Sequence, residues 1–205
     1  MFGFLCDWYS FQPGCLSQTF LTWFKSILGK SSSTTSPQLT MKSVKVAIFY
    51  IYSVNSSMQL KFMFPKDYLL TDKDTNKCKI ARSVCDAVGE HLSLPDVLTI
   101  EFCELGNSNY ADSLLKHDSE KHVRMNLQLE LNDILTPLVH ELIHVNQMHE
   151  GRLMIAHDSI YVWDTVPYEI IIEDIPYKEY LMLPWELDVA HRQPQLMQEI
   201  LKSYK

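Results

Sequence analysis

A chain of 205 residues, 46% of them apolar, can bury one sizeable core without a disulfide scaffold. Its net charge of −7 gives no electrostatic basis for nucleic acid as a partner. No run approaches the ~18 apolar residues of a membrane span, and no glycine-rich phosphate loop occurs. The five cysteines are odd in number and form no CxxC pair, which points to reduced thiols in an intracellular, cytoplasmic setting.

Residues 1–30 are rich in aromatics and nearly free of charge. Asp7, Gln12, Pro13 and Gln18 interrupt what a secretory signal would need as a continuous apolar centre. Leu16, Phe20, Phe24, Ile27 and Leu28 recur at helical spacing and predict a short amphipathic helix over residues 16–28. That helix either docks on a partner or a membrane surface, covers a site on the main domain, packs on that domain, or belongs to an upstream extension. SSSTTSPQLT, residues 31–40, is a linker by composition. The expected organisation is therefore an N-terminal segment and linker over 1–40 and a compact domain over 41–205.

Within that domain, Ser43 to Ser53 and Ser57 to Phe64 read as strands. Asp72, Asp74 and Asn76 follow the spacing of a calcium loop. Lys77 and Ser83 stand where such a loop needs glycine and a bidentate glutamate, so a solvated turn and helix cap is expected. Lys77 to Leu92 carries a one-sided apolar stripe and predicts a helix; Val97 to Phe102 reads as a strand. Gly106 to Glu120 is polar and is expected to be loop or short helix. From His122 to Leu131 apolar and polar residues alternate, which predicts a half-buried strand, antiparallel or at a sheet edge. Such an edge could pair with an extended peptide; the alternative is an internal strand. Arg152–Ala156 and Ser159–Thr165 predict a hairpin that Tyr168–Ile172 extends, and Trp163 and Trp185 read as core aromatics. Helices are expected in Tyr177–His191, from Pro184, and over Gln195–Tyr204. The whole predicts an α+β fold: a small mixed or antiparallel sheet packed on a central helix, with a mainly helical C-terminal part.

The central helix is TPLVHELIHVNQMHEG, Thr136 to Gly151. Thr136 suits the cap, Pro137 the first helical position and Gly151 the position just past the end. It carries His140, Glu141 and His144 as H-E-x-x-H. Imidazoles four residues apart share a helix face and can hold one metal ion, while Glu141 can act on a metal-bound water without itself being a ligand. A catalytic zinc needs a third protein ligand and one position left for water. Glu186, in LPWELDVAHR, is the expected third ligand. His191 is the main competitor, and Asp188, His149, Glu150 and His157 are weaker ones; His149 and Glu150 lie too far along the same helix to share the ion.

HELIHVNQ followed by GRL, an aromatic hairpin and LPWE resembles the minimal gluzincin-type zinc metallopeptidases of phages and bacteria, over about Val123 to Arg192. The resemblance implies a zincin-like fold, Zn2+ held by His140, His144 and Glu186, Glu141 as general base, and a peptide or protein substrate. Ala190 stands where larger gluzincins have the aspartate of E-x-x-x-D, so Asp188, Asp133 or a backbone carbonyl is left to orient the imidazoles. An oxyanion stabiliser is also required; Tyr161, Tyr168, Tyr177, Tyr180 and Arg192 are in range and the role stays open. Two other readings are a non-catalytic zinc module with a structural or assembly role, and a zinc amidase acting on a cell-wall type amide. Glu141, which a structural site does not need, favours hydrolysis.

Overall fold

The computed structural model describes residues 47–51, 58–105, 111–114, 121–157 and 159–203. The helix expected at 16–28, the linker at 31–40 and Cys6 and Cys15 lie outside the described residues. The fold is mixed α and β, with a five-stranded sheet, a three-stranded sheet and helices.

Strand β1 (Ala47–Ile51) pairs antiparallel with β2 (Gln59–Phe64). Helix α1 (Asp72–Gly89) then carries the chain to β3 (Val97–Cys103), which lies parallel to β2. Next come β4 (Ala111–Leu114) and β5 (Lys121–Asn126), and the sheet order is β1-β2-β3-β5-β4. Leu60, Phe62, Phe64, Leu98, Ile100, Phe102, Val123 and Met125 occupy alternate positions and are all buried. They join one continuous core with Ile80, Val84 and Val88 of α1 and with Leu138, Leu142 and Val145 of the central helix α2 (Leu135–His149). α2 packs against both α1 and α4 (Pro184–Ser203). Strands β6 (Leu153–His157), β7 (Ile160–Trp163) and β8 (Val166–Glu169) form the second, antiparallel sheet, as the aromatic hairpin and its extension predict. A short helix α3 (Tyr177–Tyr180) precedes α4. Trp163 and Trp185 are buried in the core, as expected.

Several local expectations are corrected. The alternating segment is not an edge strand: β5 lies between β3 and β4 and ends at Asn126. Asn126 Oδ1 accepts the Gln128 amide at 3.0 Å and Leu129 N bonds back to the Asn126 carbonyl at 3.1 Å, so a turn, not a strand, carries the later alternation. The edge belongs to β4, inside the polar stretch expected as loop or short helix. Helix α1 begins at Asp72, five residues early, and Asp74 is not solvated. It is 1% exposed and closes a capping box with Thr71. Thr136 does not cap α2. A 3-10 turn, Leu131–Asp133, feeds directly into the helix through Ile134, and Pro137 is the helix's third residue instead of its first, still in the turn where a missing N–H costs nothing. Finally, α4 is one continuous helix with Pro194 inside it, where two helices were expected. Among the described residues no helix is long and apolar enough to cross a membrane.

Candidate metal centre

The C-terminal end of α2 follows from its residues. Gly151 has φ +73, a conformation costly for any residue with a Cβ. Arg152 N bonds the Gln147 carbonyl at 2.9 Å and Gly151 N bonds that of Met148 at 3.3 Å, which is a Schellman closure. The chain leaves this stop directly into β6. Arg152 then lies 4.4 Å over the Trp163 ring and pairs with Asp164 and Asp188, so the hairpin is held against α4.

That packing brings α4 beside the middle of α2. His140 Nε2 stands 3.2 Å from His144 Nε2, His144 Nε2 is 3.1 Å from Glu186 Oε1, and His140 Nε2 is 3.5 Å from Glu186 Oε2. His144 and Glu186 are buried, His140 nearly so. Ligands bound tetrahedrally to zinc at ~2.0–2.1 Å stand about 3.3–3.4 Å from one another. The three distances are therefore those of one face of such a tetrahedron, and the donor set of two imidazoles and one carboxylate fits the ion. The three form the only group of side chains among the described residues that could hold a metal ion.

Charge follows from this packing. Burial alone would push the His144 imidazolium down, but the Glu186 carboxylate overrides it and holds the pKa up at about 9. Burial would likewise raise the Glu186 carboxyl; the two imidazoles and the Tyr180 hydroxyl bring it down to about 2. His140, buried and next to a positive His144, is pushed down to about 4. With protein groups alone, the centre is a neutral imidazole beside an imidazolium–carboxylate pair. Glu141 is buried on the same helix and its charge also acts on His144.

The outer nitrogen of His144 is served by an amide. His144 Nδ1 lies 2.9 Å from Gln147 Oε1, and Gln147 Nε2 donates to Asp188 Oδ2 at 2.8 Å and to the Trp185 carbonyl at 3.0 Å. The Gln193 amide stands near His140. Its Nε2 donates to the Thr136 carbonyl at 2.8 Å, and its buried Oε1 favours a proton on His140 without closing to a hydrogen bond of good geometry. Asp188 thus acts on His144 at one remove, while Asp133 is exposed and takes no part.

The remaining candidates separate. His191, His149 and Glu150 are exposed and lie outside the cluster, as does Asp188. Of the possible oxyanion groups, Tyr180 donates to Glu186 Oε1 at 2.6 Å. Tyr161 and Tyr168 pack on the Trp185 ring, and Arg192 is engaged with Asp188 and Asn146. Gln147 and Gln193 were missed by sequence reasoning. The signal the sequence carried for Gln147 was an amide pair, Asn146 and Gln147, within a mostly apolar helix. No protein-family model, curated protein or solved structure matches the chain.

Proposed function

We propose that the protein is a zinc-dependent peptidase of zincin-like fold, with His140, His144 and Glu186 as the metal ligands and Glu141 as general base. The observation that carries this reading is the triangle of Nε2, Nε2 and carboxylate oxygen with edges of 3.1 to 3.5 Å, with a further carboxylate one residue from the first histidine. A zinc ion bound there would supply Lewis acidity and a water that ionises near pH 7. His140 and His144 present Nε2 inward from successive turns of α2. Glu186 closes the set from α4. Glu141, held on the same rigid helix, accepts a proton from the attacking water and returns it to the leaving amine. Tyr180, already hydrogen bonded to Glu186, puts a hydroxyl at the rim of the reacting centre.

A peptide substrate is supported by the sheet. Among the described residues β4 pairs on one side only, with β5, and it packs against α2. An unpaired edge beside the centre offers backbone donors and acceptors to an extended chain. This gives β4 the part that the alternation had suggested for β5.

The test is Glu141→Gln in the full chain, with metal content and peptide hydrolysis measured together. We expect one zinc per chain to be kept and hydrolysis to fall by about 10²–10⁴-fold. Hydrolysis at the wild-type rate in that variant would overturn the assignment of Glu141.

A further inference from the structure

Gln147 is wholly buried, and both N–H donors and the oxygen of its amide are engaged. Its two N–H bonds go to Asp188 Oδ2 and to the Trp185 carbonyl, at 2.8 and 3.0 Å. A backbone carbonyl accepts only. Asp188 is ionised beside Arg152 Nη1 at 3.3 Å and Arg192 Nη1 at 3.2 Å, so it too accepts only. The amide therefore has one permitted orientation, with its oxygen toward His144. An oxygen there requires a proton on His144 Nδ1, and this leaves Nε2 directed at His140 and Glu186.

The second N–H has a separate consequence. Trp185 immediately precedes Glu186, so one side chain grips His144 on α2 and the backbone next to the third member of the cluster on α4. A carboxylate at this position could accept from His144, but it would face Asp188 and a carbonyl with no donor to offer either. The amide is the side-chain chemistry that meets all three partners.

We propose that Gln147 is the positioning residue of the centre: it fixes the Nδ1–H form of His144 and sets the spacing between that imidazole and Glu186. The proposal rests on the zinc reading for its consequence and on hydrogen-bond chemistry for its mechanism, and the two can be separated.

The experiment uses the full chain as wild type, Gln147→Met and Gln147→Glu. Zinc affinity is read by competition with a chromophoric chelator, and the His144 Nδ1–H proton by imidazole 1H–15N NMR with hydrogen exchange. Wild type is expected to show a slowly exchanging His144 Nδ1–H. Gln147→Met, close in volume, is expected to lose that protection and to bind zinc about 10–100-fold more weakly. Gln147→Glu is expected to bind zinc more weakly than wild type although it keeps an acceptor. A wild-type His144 Nδ1–H that exchanges freely overturns the proposal whether or not the variants fold, and so does wild-type zinc affinity in Gln147→Met. If wild type binds no zinc, the metal reading fails and the Nδ1–H measurement alone decides the role of Gln147.

Discussion

The Tyr180 hydroxyl donates to Glu186 Oε1 at 2.6 Å, and that same oxygen lies 3.1 Å from His144 Nε2. A short bond from a neutral hydroxyl to a carboxylate is of the strong, charge-assisted kind. It joins α3 to the first turn of α4 and fixes which carboxylate oxygen faces which imidazole. The sequence offered five candidates for a polar group beside the reacting atoms, and among them Tyr180 hydrogen bonds a member of the cluster.

Tyr180→Phe removes that donor and leaves the ring. We expect zinc affinity to weaken by about tenfold or more, because the carboxylate loses both orientation and a partner for its charge. Chelator competition on the purified variant checks this. Unchanged affinity with a lower kcat would reassign the hydroxyl from Glu186 to the reacting carbonyl.

Glu186 and His191 lie on one helix, five residues apart, yet only Glu186 is turned inward: it is 4% exposed, while His191 lies open to solvent. Glu186→Ala is therefore expected to lower zinc affinity by more than about 100-fold, beyond the effect of losing an outer hydrogen-bond partner. His191→Ala is expected to leave it unchanged. Metal content after equilibration in a zinc buffer separates the two, and the opposite ranking would give the third position to His191.

What the sequence showed and hid has physical causes. The cluster was legible because metal ligands come from few residue types, and H-E-x-x-H on an apolar helix states its own geometry. Gly151 was legible because few other residues accept its φ. Thr136 misled because the entry to α2 is a backbone device, a 3-10 turn that needs no side-chain cap. The strand over His122 to Leu131 was overextended because an asparagine turn preserved the period of two after the ladder had ended. β4 was missed because four residues, Ala-Asp-Ser-Leu, show no apolar alternation. Gln147 was missed because a neutral amide advertises no charge, and its partners Trp185 and Asp188 lie some forty residues downstream. Asp74 was misread as solvated because acidic residues usually are; its burial depends on a lysine three positions later.

That lysine makes Asp74 a test of the scaffold independent of the metal centre. Asp74 Oδ2 accepts from Thr71 N at 3.0 Å, Thr71 Oγ1 at 2.7 Å and Tyr68 Oη at 3.2 Å, and Oδ1 lies 3.6 Å from Lys77 Nζ. Lys77 in turn donates to the Leu127 carbonyl, so the pair ties α1 to the turn that ends β5. Burial pushes the Asp74 carboxyl up, but the Thr71 hydroxyl and amide, Tyr68 and Lys77 together hold it below the usual carboxylate range. A pKa depressed on folding contributes stability above the unfolded value of about 3.9, and that contribution is lost as pH falls through the folded value. Asp74→Asn should therefore be less stable than wild type by about 1–3 kcal/mol at neutral pH, and the gap should narrow as pH falls below the unfolded value and through the lower folded one. Urea unfolding of both chains at pH 7 and at a series of acid pH values, carried down until the gap stops changing, measures it. Because Glu186 and Asp188 also lose charge in acid, the difference between the two chains, not the wild-type curve alone, isolates Asp74. A gap of constant size across that range would show that the cap acts through shape and not through its charge.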